Sequence, residues 1–162
     1  VCKMGGIGGP AKDAAKSYKP GVVGVMSRSG GMTTEISSSL TAAGLGVSTA
    51  VSIGGDAIIG STYAELMPYF EADEETKAIV IYTEPGGRME AQLSEWRKAN
   101  NSRLPIVAFM AGFFMDDMPG VAEAHAGHVV HEEAGQEGHD RQARVVLGDA
   151  LGQLGVPPLE LQ

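Results

Sequence analysis

All four histidines of the chain, His125, His128, His131 and His139, fall in one stretch, AHAGHVVHEEAGQEGHD, running from Ala124 to Asp140. Imidazole binds metals, carries protons and acts as a nucleophile near neutral pH, so three kinds of site are open. A zinc site needs ligands that converge on one point. His125, His128 and His131 recur every third residue, with Glu132 and Glu133 behind them. On an α-helix the residue at i+3 shares a face with i, whereas i+6 has rotated about 120° away, so one ion does not easily gather all three rings. HVVHE matches neither HExxH nor HxxEH, and the single cysteine, Cys2, provides no cysteine cluster. No metal site is expected. Catalysis stays open at His125, whose small neighbours Ala124, Ala126 and Gly127 leave the ring within reach of a substrate. For His128, His131 and His139 the plainer reading, surface or helix-face residues, is preferred.

Three other stretches hold residues that could bind an anion or orient an imidazole. SRSGG, Ser27 to Gly31, runs from an apolar segment into a helical pattern that includes Thr33, Thr34 and Glu35. Two hydroxyls, Ser27 and Ser29, two glycines, Gly30 and Gly31, and a helix N-terminus together suit a phosphate or other oxyanion. The same residues also suit an ordinary N-cap with a tight turn. In IGGDAIIGST, Gly54 and Gly55 allow close backbone approach, or simply a turn. TEPGG places Glu84 where a carboxylate could accept a hydrogen bond from an imidazole and fix its tautomer, or stand as a solvated loop acid.

These stretches share one kind of place in the chain. VVGVM (Val22 to Met26), VSTAVSI (Val47 to Ile53), AIVIYT (Ala78 to Thr83) and LPIVAFM (Leu104 to Met110) are short apolar runs rich in β-branched residues. Strands buried on both faces of a parallel sheet have this composition. Between them Met32 to Ala43, Ser61 to Ala72 and Met89 to Ala99 carry apolar residues three or four apart, among them Leu66, Tyr69 and Phe70, then Leu93 and Trp96. A further helix is expected from Asp140 to Leu154, ended by GVPP, and a long loop from Ala111 to Glu133. The opening Gly-rich segment is read as loop, stiffened at Pro10 and Pro20. Strand–helix–strand units of this length imply right-handed crossovers and an α/β fold. The expectation is a flavodoxin-like, doubly wound, mainly parallel sheet with helices on both faces, 1–162 forming a single domain. Ligands of such sheets bind beyond the carboxyl ends of the strands, where SRSGG, IGGD and TEPGG all lie.

Composition narrows the function. A net charge of −8 without a Lys/Arg cluster argues against a nucleic-acid partner. No apolar run approaches the 18 or so residues of a membrane span, so no membrane association is expected. VCKMGGIGGP has no apolar h-region and no initiating Met, and reads as the continuation of something upstream. The lone cysteine is consistent with a reducing compartment, and cytoplasm, or the mitochondrial matrix in a eukaryote, is the expected location.

Taken in order and at their spacing, KPGVVGVMSRSGGMTTE, VSIGGDAIIGSTYAELMPYFEADEETKAIVIYTEPGG and AHAG resemble the C-terminal ligase domain of the succinyl-CoA synthetase alpha subunit. The corresponding segment of ATP-citrate lyase is equally similar, and SRSGGM is nearer to the lyase form. The resemblance runs from about Cys2 to Leu154. It implies a nucleotide-dependent acyl-CoA synthetase working through a phosphorylated histidine. His125 matches that histidine, in the position of the family's GHAG motif. It would attack an acyl phosphate and pass the phosphoryl group to the nucleotide. Ser27, Ser29, Gly30 and Gly31 match the helix N-terminus that receives the phosphohistidine and the carboxylate substrate. Thr34 matches a substrate-contacting position that is often Tyr, and Glu84 matches the glutamate that orients the histidine.

The resemblance further implies CoA, ATP or GTP with Mg, a small carboxylic acid substrate, an ATP-grasp subunit or domain, a CoA-binding Rossmann domain and an oligomer. The last two domains are expected outside this chain, and the chain alone is not expected to complete the reaction. It departs from the family pattern at Ala124, where the motif has glycine, at His128, and in acidic HEEAGQEG, which replaces a Gly-rich stretch. The segment after Gly155 is also short. A catalytically silent interaction or regulatory subunit with the same fold is the alternative that these departures keep open.

Overall fold

The computed structural model describes residues 1–7, 10–84 and 87–110 in full and the backbone of Val129–His131. Its elements in chain order are β1 (Cys2–Gly5), α1 (Ala11–Ser17), β2 (Pro20–Ser27), α2 (Gly30–Ala42), β3 (Val47–Ser52), α3 (Tyr63–Ala72), β4 (Ala78–Thr83), α4 (Met89–Asn100), β5 (Ile106–Met110) and β6 (Val129–His131). Every strand pair is parallel, and the sheet order is β1-β3-β2-β4-β5-β6. The chain steps one way from β2 to β3, then crosses back over β2 to reach β4 and continues outward to β5. Crossovers of one hand place their helices on opposite faces when the direction reverses.

The packing follows that rule. On one face Ile36 and Leu40 of α2 cover Val23, Val25, Ala50 and Val80, joined by Tyr18 from the end of α1. On the other, Tyr63, Met67 and Phe70 of α3 and Leu93 of α4 cover Met26, Ile79, Ile81 and Ala108. Because both faces are covered, the middle strands read as unbroken apolar runs: all six residues of β4 are buried. Each fully buried Val, Leu, Ile or Met side chain contributes about 1.5–3 kcal/mol relative to exposure. The four expected core strands and three crossover helices are therefore present, and the fold is the flavodoxin-like α/β sheet that the alternation implied. Among the described residues no helix is long and apolar enough to cross a membrane.

Three expectations change. The opening segment is not all loop: Cys2–Gly5 is the edge strand β1, and Ala11–Ser17 is α1. β1 has four exposed residues and no apolar run to announce it, and it exists through its backbone pairing with β3, from Cys2 opposite Thr49 to Gly5 opposite Ser52. Pro20 is the first residue of β2 rather than part of a linker, a strand position where its missing N–H is tolerated.

The long stretch after β5 is also interrupted. The backbone of Val129–His131 forms β6, in register with Ala108, Phe109 and Met110 of β5. His131 thus belongs to a strand and not to a helix face. The helical spacing used to weigh a zinc site does not describe it. Finally, α2 starts at Gly30, two residues before the expected Met32, because Ser29 supplies the cap. The helix expected from Asp140 to Leu154 lies outside the described residues.

Gly24 shows how tightly α3 sits on the sheet. A Cβ there would lie 2.6 Å from Phe70 Cε1 and 2.7 Å from Ile79 Cδ1, closer than van der Waals contact. Gly24→Ala is expected to lower stability by about 1–3 kcal/mol through overpacking. Chemical denaturation of the parent and the variant measures it; equal midpoints would contradict the packing described.

Candidate functional site

β2 is where the sheet changes direction, and its last residue pairs on both sides: Ser27 stands opposite Ser52 of β3 and Tyr82 of β4. In an open α/β sheet the crevice beyond the strand ends at such a reversal is the usual ligand site. The turn from β2 into α2 is held by its own hydroxyls. The buried Ser27 Oγ donates to Ser29 O at 2.7 Å and accepts from Ser29 N at 3.0 Å. Ser29 is the N-cap in extended conformation, and its Oγ accepts from Met32 N. Thr33 bonds Ser29 O through both its N–H and its hydroxyl.

This arrangement divides the labour among the five residues of SRSGG. The Ser27 hydroxyl is committed to the turn. The Ser29 hydroxyl accepts in the cap and keeps its proton for another acceptor. The N–H groups of Gly30 and Gly31, first in the helix, have no intrahelical acceptor, and the helix macrodipole adds partial positive charge there. These three donors are what the turn offers an oxyanion. Both readings of SRSGG, cap and anion site, are compatible with one geometry.

Facing this turn is the end of β4. The Tyr82 carbonyl accepts two hydrogen bonds, from Arg28 N at 3.1 Å and from the Tyr63 hydroxyl at 2.6 Å. It therefore ties the β2–α2 turn, the end of β4 and the first turn of α3. Burial, and next the Glu90 carboxylate, push the Tyr63 phenol far above the ordinary tyrosine range, against an opposing pull from Arg28. Glu90, in the first turn of α4, accepts a hydrogen bond from the Thr83 hydroxyl.

The Arg28 guanidinium reaches over the strand ends, donating through Nη1 to Glu84 O at 3.0 Å and through Nη2 to Gly55 O at 3.4 Å. Gly55 is exposed, and a Cβ added to it would lie 3.1 Å from Glu84 Oε2. Its neighbour Gly54 has φ +91, a left-handed backbone that glycine adopts without strain as the chain leaves β3.

The structure thus gathers Ser27, Ser29, Gly30, Gly31, Gly54, Gly55 and Glu84 at one edge of the sheet, as the sequence suggested. Thr34 is placed differently from its neighbours: it is buried, and its Oγ1 lies 3.0 Å from the Tyr18 hydroxyl on the inner side of α2. His125, with His128 and His139, lies outside the described residues. The sequence motifs give no role to Arg28, Tyr63 or Glu90. For Arg28 a signal was present, a cation inside SRSGG at the end of an apolar strand in an acidic chain. Tyr63 and Glu90 look like ordinary first-turn helix residues, and only the fold brings them to β4.

The raised phenol of Tyr63 has a consequence for stability against pH. A group whose folded value is raised contributes stability that is complete below its unfolded value, about 10 for tyrosine, and that is lost as pH rises through the folded value. Tyr63→Phe, which removes one donor to the Tyr82 carbonyl, is expected to cost about 1 kcal/mol near neutral pH. It should also lose less stability than the parent between about pH 9 and pH 11. Denaturant melts at both ends of that range test it; parallel alkaline losses would refute it.

Comparison with known proteins places this geometry. Residues 20–155 match the model of the succinyl-CoA ligase like flavodoxin domain. An ADP-forming sulfoacetate-CoA ligase subunit of Bilophila wadsworthia is 43% identical over 113 residues, covering 70% of this chain and 38% of that protein. An alpha subunit of ADP-forming succinate–CoA ligase from Archaeoglobus fulgidus is 39% identical over 144 residues, covering 89% of this chain and 49% of that one. Among solved structures, ATP citrate lyase from Methanothrix soehngenii, in complex with citrate and coenzyme A, superposes with a TM-score of 0.59 at 27% identity, over 94% of this chain and 24% of the lyase. The chain spans half or less of the length of these relatives. With the parallel sheet, its reversal at β2 and the matched residues in agreement, the chain belongs to the succinyl-CoA ligase like flavodoxin domain family.

Proposed function

We propose that this domain carries the phosphorylated histidine of a nucleotide-dependent acyl-CoA synthetase, of the succinyl-CoA synthetase or ATP-citrate lyase type. The observation that carries the reading is the convergence, at the reversal of the sheet, of the α2 N-terminus with the Glu84 segment. The identities of the relatives, ADP-forming CoA ligases and an ATP citrate lyase, support it.

In this reading a neutral nitrogen of His125 attacks the phosphorus of an acyl phosphate. The N–P bond forms, the P–O bond to the acyl oxygen breaks, and the carboxylic acid leaves as its carboxylate. A nucleoside diphosphate oxygen then takes the phosphoryl group, and the imidazole leaves as the neutral base. Run in reverse, the same two transfers activate the acid for attack by the CoA thiol, with phosphate departing. Phosphoryl transfer asks the protein for position and charge more than for covalent chemistry. The Gly30 and Gly31 N–H groups and the Ser29 hydroxyl receive the phosphoryl oxygens, while Ser27 holds the turn that aims them. Glu84 accepts from the imidazole N–H opposite the reacting nitrogen, which fixes the tautomer and supports the charge that develops. Gly54 and Gly55 keep the rim low, and Thr34 sits one turn inside it.

Partners complete the machine. An ATP-grasp subunit or domain supplies the nucleotide site, a CoA-binding Rossmann domain supplies the thiol, and the assembly is an oligomer. Among the described residues no group of three or more His, Cys, Asp or Glu side chains is placed to hold a metal. In this reading the Mg²⁺ ion comes with ATP or GTP on the partner.

The expected outcome is direct. With a competent ATP-grasp partner and γ-labelled ATP, the full-length enzyme acquires acid-labile, base-stable phosphate, and His125→Gln acquires none. An unlabelled parent with a competent partner would replace this reading by that of a catalytically silent subunit.

A further inference from the structure

We infer that Arg28 is a positioning residue that sets the place of the Glu84 carboxylate, an assignment that rests on the reading of Glu84 as the orienting acid of His125. Three observations meet at this side chain. Its main-chain N–H holds the Tyr82 carbonyl, two residues before Glu84, at 3.1 Å. Its guanidinium donates from one terminal nitrogen to the Glu84 carbonyl at 3.0 Å and from the other to the Gly55 carbonyl at 3.4 Å. And Gly55, held by that second bond, is the residue whose missing Cβ leaves room for Glu84 Oε2, 3.1 Å from where the Cβ would stand.

The consequence is geometric. A carboxylate at the end of a strand is placed by its own backbone and by what flanks its side chain. Arg28 bonds the backbone carbonyl of Glu84 and anchors the flanking loop, so the turn after β2, the loop after β3 and the end of β4 move as one unit. The planar guanidinium offers two donors in a fixed fork, whereas a lysine ammonium is a point charge on a flexible stem. Lysine keeps the charge but not the double attachment. Arg28 does not need to touch the reacting atoms: its effect reaches them through Glu84.

The test uses the full-length enzyme with its ATP-grasp partner and follows the rate of His125 labelling, together with kcat and KM for the nucleotide. Arg28→Lys should slow labelling and kcat by about 10- to 100-fold, the scale for loss of an orienting partner, with KM for the nucleotide unchanged. Gly55→Ala, a change in an exposed loop, should slow labelling with the same unchanged KM. The deciding comparison is with Glu84→Gln: if Arg28 acts through Glu84, adding Arg28→Lys to Glu84→Gln slows labelling no further. Multiplied losses in the double variant, or an Arg28→Lys enzyme that labels at the parental rate, overturn the assignment while the phosphohistidine reading stands. A parent that takes no label overturns both.

Discussion

The carbonyl of Tyr82 is the point on which the site depends. It is a single backbone acceptor at the end of a buried strand, and two donors from two other elements use it: the Arg28 N–H and the Tyr63 hydroxyl. A carbonyl has two lone pairs, and satisfying both in a buried setting fixes the donors relative to each other. β2, β4 and the start of α3 are thereby registered at the carboxyl edge. The β2–α2 turn and the acid beyond β4 inherit that register. Without it, each would be an isolated loop on an otherwise sound sheet.

Charge at this edge runs against the charge of the whole chain. The protein carries a net −8, yet the proposed function asks it to receive a phosphoryl group. The local arrangement offers dipoles and one guanidinium: the first N–H groups of α2, the Ser29 hydroxyl and Arg28, with the Glu84 carboxylate beside Gly55 and the Glu90 carboxylate bonded to Thr83 of β4. Oriented backbone dipoles act over one helical turn and do not depend on net charge. An acidic domain can therefore hold an anion if the backbone is held in place, which is the task of the hydroxyl network from Ser27 to Thr33.

The core strands were legible because burial on both faces demands unbroken apolar runs, as in AIVIYT. The outermost strands among the described residues, β1 and β6, were not. β1 exposes every residue and is held by backbone pairing to β3, while β6 is a three-residue strand beside β5. Edge strands gain little from side-chain burial, so their sequences need not announce them. The same logic applies within the site. SRSGG, IGGD and TEPGG were found because turn chemistry constrains residue type, whereas Tyr63 and Glu90 sit in first helical turns where many residue types serve.

By itself, then, the sequence determined the alternation of strand and helix, the apolar faces and the presence of hydroxyls, glycines and an acid at strand ends, since each of these is a local or periodic property; that Ser29 is the cap of α2 came from the structure. Tertiary structure alone decided that the chain reverses at β2 and that Tyr63 bonds Tyr82. It alone decided that Arg28 spans Glu84 and Gly55, contacts that join residues 19 to 56 positions apart. No local pattern encodes such pairings; they follow from the order in which the strands lie side by side.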